Sequence, residues 1–232
     1  MFNSIINNPN ILFYVILLAC LAVMYIPYIG KYIRVLETMI HESGHVITAL
    51  LLRAKINKIN LFSNTSGETH IASAGKIKTM IIALMGYPFS SAVAWLSFWA
   101  IHNQYKQVFI VVLCALTLVF LLFYIRNGFG IFWAISFIAA NGYLIYAEKI
   151  KILGILATIY ADILFLSSLF SCFIILYLSF KQSNKAGDAT LIGKIMHIPP
   201  QIIGIVFVVI CSIISFSTMK NFFPLFENLK LF

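Results

Sequence analysis

Long apolar runs separated by short polar breaks dominate the chain. Seven of them come near the roughly 20 residues that a helix needs to cross a bilayer: 11–30, 32–52, 79–101, 108–125, 129–147, 152–180 and 198–219. The sixth holds 29 residues and must tilt or project from the membrane. Only Arg126, Asn127 and Gly128 separate the fourth run from the fifth. That break reads either as a tight hairpin between two helices or as an interruption in a re-entrant element.

Two stretches depart from this pattern. In residues 54–75, Ile56, Ile59, Leu61 and Ile71 flank the turn signal Ser63-Asn64-Thr65-Ser66-Gly67, which predicts a short β-hairpin at about 55–74. Residues 181–197 form the one long polar loop, and it ends in a short amphipathic piece, 189–197. The expected fold is an all-α polytopic membrane protein of about six to seven transmembrane helices. A short β-hairpin follows the second of them, and residues 1–232 make one membrane-embedded domain.

Composition supports this class. The chain is 62% hydrophobic and 10% charged, against about 25% charged in a soluble domain. A net charge of +9 raises nucleic acid as a partner. The cations, however, are spread thinly at the ends of the apolar runs, as membrane proteins use them, and no basic stripe exists. Nucleic acid is therefore excluded and the lipid bilayer is the expected surrounding. Cys20, Cys114, Cys172 and Cys211 each lie inside an apolar run, with no C-x-x-C pair. They read as buried small hydrophobes, neither a disulfide framework nor a metal site. The first run is too long for a signal-peptide core and lacks a small-residue cleavage site, so it reads as a retained helix.

The second run carries His41-Glu42-Ser43-Gly44-His45. Residues i and i+4 share one helix face, so both imidazoles can meet one zinc ion, with Glu42 beside them to act on a water. Chance produces H-E-x-x-H in many proteins. An unused carboxylate deep in a membrane, however, costs about 2.5–3.5 kcal/mol on insertion scales. The bland alternative is a polar helix–helix contact. Glu37, one turn before His41, is either a carboxylate that receives a histidine N–H or a partner of Arg34.

A catalytic zinc needs a third protein ligand. Of the seven carboxylates, Glu148 and Glu227 lie near segment ends and read as solvated. Glu68 reads as one half of an exposed pair with His70. Asp162 and Asp188 remain. Asp162 lies about 10 residues into the sixth run, roughly 15 Å deep at 1.5 Å per residue, comparable with the histidines. Asp188 lies in the polar loop and reaches the zinc only if that loop folds back.

These residues resemble the site-2 protease family of intramembrane zinc metallopeptidases, in particular its small bacterial branch without a PDZ domain. Besides the His-Glu motif, Leu61 to Thr69 resembles that branch's Ser-Asp-Thr-Ser-Gly-x-Thr hairpin. Gly86-Tyr87 resembles its Ala-Gly-Tyr-x-Gly-Pro, and Ile125 to Gly130 its Arg-Asn-x-Phe-Gly. Gly187 to Pro199 resembles Ser-Asp-Ala-x-x-Leu-x-x-x-Thr-x-x-Pro. The shared order covers most of residues 37–215. Better-studied members take their aspartate ligand from a Leu-Asp-Gly motif, which this chain lacks.

The resemblance implies zinc held by His41, His45 and an aspartate matching Asp188, with Glu42 as general base. It implies hydrolysis of a peptide bond in or next to a transmembrane segment of a substrate protein, in a multi-pass protein of the bacterial cytoplasmic membrane. Depth favours Asp162 and resemblance favours Asp188, and the assignment adopted is Asp188. The hairpin is expected to offer an edge for strand addition by an unwound substrate. Asn127 reads as part of a turn rather than as a group binding the substrate, and Gly86 and Tyr87 as helix packing. One rival is a non-catalytic zinc-binding membrane protein, a sensor or a partner-binding subunit, but such a site has no need of Glu42. A transporter would want more polar residues along a path.

Overall fold

The computed structural model describes residues 9–224. Eight helices and one hairpin follow in the order α1 (Pro9–Met24), α2 (Ile29–Leu51), β1 (Lys55–Leu61), β2 (Gly67–Ser73), α3 (Lys76–His102), α4 (Lys106–Phe123), α5 (Gly128–Tyr146), α6 (Ile150–Lys181), α7 (Gly187–Met196) and α8 (Pro200–Phe222). A 3₁₀ turn, Ser183–Lys185, precedes α7. Among the described residues, five helices are long and apolar enough to cross a membrane: α3, α4, α5, α6 and α8. The chain is thus a multi-pass, all-α membrane protein with one small hairpin.

The first two runs differ from expectation. Neither helix alone has both the length and the apolarity to cross a membrane; together they do, but they are bent by 104° at the break between them. Pro27 is the physical reason. Its ring blocks a continuing helix and disfavours helical backbone before it. Helix α1 therefore stops at Met24, and α2 starts at Ile29. Helix α2 is also less apolar, because one side of it carries Glu37, Thr38, His41, Glu42 and His45.

Helix α6 has 32 residues, about 48 Å at 1.5 Å per residue, and exceeds a bilayer core of about 30 Å. Helix α3 is the central element, in contact with α2, α6, α7 and α8. Small hydroxyl residues let these helices approach and satisfy themselves internally. Ser90, Ser97 and Ser168 donate to carbonyls three residues back, and Thr117, Ser179 and Thr218 to carbonyls four back.

The hairpin is antiparallel, with Asn60 opposite Glu68 and Ile59 opposite Thr69. It is wedged among helices rather than laid on the surface. Ile59 and Leu61 are fully buried in the core with Leu36, Met39, Ile40 and Phe120. The break after α4 is the short connection between two helices that each have the length and apolarity of a span and that pack on each other, and it also pairs with the hairpin. Residues 124–127 run alongside β1: Ile59 N–H donates to the Tyr124 carbonyl at 2.8 Å, and Arg126 N–H donates to the Ile59 carbonyl at 3.2 Å. The Asn127 side chain continues this edge. It accepts from Leu61 N–H at 3.0 Å and donates back to the Leu61 carbonyl. Asn127 is therefore not merely a turn residue.

Candidate metal centre

One helical turn separates His41 from His45, and their Nε2 atoms lie 3.1 Å apart. His45 Nδ1 is 2.8 Å from the Ile82 carbonyl oxygen on α3. A carbonyl only accepts, so Nδ1 carries the proton and Nε2 keeps its lone pair for a metal. Gly86, one turn further along α3, makes room for both rings. A Cβ there would sit 2.5 Å from His41 Nε2 and 2.6 Å from His45 Cε1. The Tyr87 ring meets His41 edge-on at 4.5 Å between centroids.

Helix α7 supplies the third group. Asp188, in its first turn, brings Oδ2 to 3.3 Å from His41 Nε2 and 3.4 Å from His45 Nε2. The polar loop folds back to do this. Thr190 Oγ1 donates to the Ser183 carbonyl and accepts from Ala186 N–H at 3.0 Å, closing the turn before the helix. Burial works against a charge on Asp188, but the His45 and His41 imidazoles, when protonated in the absence of metal, outweigh it and hold the carboxyl well below the usual range.

The three donor atoms form a triangle with sides of 3.1, 3.3 and 3.4 Å. Donors about 2.0–2.1 Å from a tetrahedral zinc lie about 3.3–3.4 Å from one another. The donor set therefore has the size and chemistry of a zinc site. Glu42 is close too: ligand atoms of His41, Glu42 and His45 all lie within 4.8 Å of one another. Its carboxylate is turned to the hairpin, where Oε2 accepts from Thr69 Oγ1 at 2.5 Å.

A cavity of about 490 Å³ opens onto these groups. Its lining includes Glu37, Thr65 to Ile71 of the hairpin, Tyr87, Ser171 and Asp188. The outer edge of β2 borders it. Ile59 and Leu61 turn their backbone groups to residues 124–127, so across an antiparallel pair Thr69 and Gly67 turn theirs outward on the other side. Among the described residues, no backbone hydrogen bond covers that edge.

Other sequence candidates fall elsewhere. Asp162 is fully buried on α6, and both carboxylate oxygens lack a hydrogen-bond partner. It is not among the residues lining the cavity. Glu37 is buried, but its partner is neither Arg34 nor a histidine: Oε2 accepts from Ser171 Oγ at 3.3 Å. Glu68 and His70 form an exposed pair at 3.3 Å. Glu148 is solvent-facing, and Glu227 lies outside the described residues. The four cysteines are free, and Cys20, Cys172 and Cys211 are buried. Two participants went unassigned in the sequence, Thr69 and Ser171. Thr69 was within reach of sequence reading, since it lies two residues beyond Gly67 on a strand leaving the turn.

A family model described as Peptidase M50B-like matches residues 14–218. No curated protein and no solved structure matches the chain.

Proposed function

Since the chain belongs to the Peptidase M50B-like family, we propose that it is an intramembrane zinc metalloprotease. In this reading it hydrolyses a peptide bond in or next to a transmembrane segment of a substrate protein, within a bacterial cytoplasmic membrane. The observation that carries the proposal is the triangle of His41 Nε2, His45 Nε2 and Asp188 Oδ2, with the Glu42 carboxylate beside it.

His41, His45 and Asp188 would hold the metal, and Ile82 fixes the tautomer of His45. Zinc supplies a Lewis acid there, which makes water a better nucleophile and polarises a carbonyl. Glu42 removes a proton from the attacking water and returns it to the leaving amine nitrogen. Water is thus added across one peptide bond, and such proton transfer contributes about 10²–10⁴-fold. The substrate must be unwound first, because a helix hides its peptide bonds. The free edge of β2 supports a strand-addition role, since an extended segment paired with Thr69 and Gly67 would run along the cavity that holds Glu42.

The test uses purified protein in bilayers with a membrane-spanning peptide. Wild type should cleave it. Glu42→Gln should bind zinc at unchanged stoichiometry and lose at least about 100-fold in rate. Cleavage by Glu42→Gln at the wild-type rate would sink the protease reading and favour a zinc-binding sensor or partner subunit.

A further inference from the structure

Glu42 lies close enough to the two imidazoles to compete for the place of a metal ligand. The ligand atoms of His41, Glu42 and His45 fit within 4.8 Å. A carboxylate bound to the metal cannot serve as base, and it would fill the position that a catalytic site keeps open for water. Something must hold it aside, and two features of β2 do so. Thr69 Oγ1 donates to Glu42 Oε2 at 2.5 Å. At Gly67, two residues earlier, an added Cβ would collide with the Glu42 carboxylate. Glycine at 67 leaves the space into which Glu42 turns, and the hydroxyl at 69 fixes it there.

A second contact makes this hold firm. Thr38 Oγ1 donates to the Thr65 carbonyl at 2.9 Å, tying the hairpin turn to α2 one turn before Glu42. Helix and hairpin are thereby held in one register at both ends of the Thr65–Thr69 segment. Glu42 as a whole residue is only 4% exposed.

We propose that Thr69 is a positioning residue that keeps the Glu42 carboxylate turned away from the metal position, in the orientation of a base rather than a ligand. The proposal rests on the protease reading for its consequence in catalysis, but the hydrogen bond itself can be tested without it. The first experiment is a thermal-unfolding cycle on the full chain in detergent without added metal. Thr69→Val keeps the side-chain shape and removes the hydroxyl. A hydrogen bond to a charged group in a chain of this size implies a fall of about 3–12 °C in the unfolding midpoint. That fall should shrink to within about 1 °C in the Glu42→Ala background, where the acceptor is gone. An equal fall in both backgrounds would mean that Thr69 merely packs, and would overturn the proposal whatever the chain's activity.

The second experiment reads peptide cleavage. Thr69→Val should lower kcat about 10–100-fold, with KM within about twofold and zinc content unchanged. Thr69→Ser, which restores the hydroxyl, should recover kcat to within about threefold. A wild-type kcat for Thr69→Val, or a serine variant as slow as the valine one, would overturn it. A wild type that cleaves nothing while the unfolding cycle still shows coupling would instead count against the protease reading alone.

Discussion

Asp188 Oδ2 stands 3.3 Å from His41 Nε2, although the hairpin and four long helices separate the two residues along the chain. Metal held there would tie α2 to α7 and so join the N-terminal half of the fold to its C-terminal half. Asp188→Ala should therefore lose far more than a supporting group would, beyond about 100-fold in zinc affinity. Zinc analysis of purified variants against a competing chelator checks this. A full equivalent of tightly bound zinc in Asp188→Ala would reject that residue as a ligand.

Asp162 is the control with the opposite expectation. Its carboxyl is fully buried, and neither oxygen has a partner. An unsatisfied buried polar group costs about 1–3 kcal/mol, whereas truncating so small a side chain opens little space. Asp162→Ala should keep its zinc and unfold at or above the wild-type temperature. Loss of zinc in Asp162→Ala, measured by the same metal analysis, would reopen its claim to the site.

Gly86 poses a conflict between helix propensity and site geometry. Alanine is favoured over glycine inside a helix by about 0.8–1.0 kcal/mol, and Gly86 lies within α3. A methyl group at this position would nonetheless press on both imidazoles, 2.5 Å from His41 Nε2 and 2.6 Å from His45 Cε1. Gly86→Ala should thus leave helical content unchanged by circular dichroism and lower zinc affinity at least about tenfold. Unchanged affinity would mean that α3 can draw back without cost.

Much of this was open to sequence reading, for definite reasons. The long spans were visible because a bilayer demands length and apolarity together. The hairpin was visible because Gly67 ends a run of turn formers between β-branched residues. His41 and His45 were visible because i and i+4 share a helix face. Where reading failed, the cause was three-dimensional or a missed breaker. Pro27 sits in an apolar context, and counting hydrophobic residues passed over it, so two full spans were expected where the chain bends by 104°. Depth pointed to Asp162 rather than Asp188, because position in a span says nothing of which way a side chain turns or which loop folds back. Asn127 read as a turn because pairing with Leu61, 66 residues away, leaves no local trace.

That last contact supports a prediction about the hairpin itself. The Asn127 amide both accepts from and donates to Leu61, standing in for the backbone of a third strand. It caps the outer edge of β1 where Ile59 and Arg126 stop pairing. Removing it leaves a backbone N–H and carbonyl beside the fully buried Leu61 side chain without their partners, at a cost of about 1–3 kcal/mol for an unsatisfied group. Asn127→Ala should therefore loosen β1 locally. Amide hydrogen exchange at Leu61 should rise at least about tenfold, while exchange in α3 stays as in wild type. Zinc content should not change, because Asn127 touches none of the three donors. Substitution by aspartate sharpens the test: its carboxylate can still accept from Leu61 N–H but sets its second oxygen against the Leu61 carbonyl, so exchange at the Leu61 amide should rise in this variant too. Equal exchange at Leu61 in wild type and Asn127→Ala would show that packing alone holds the strand.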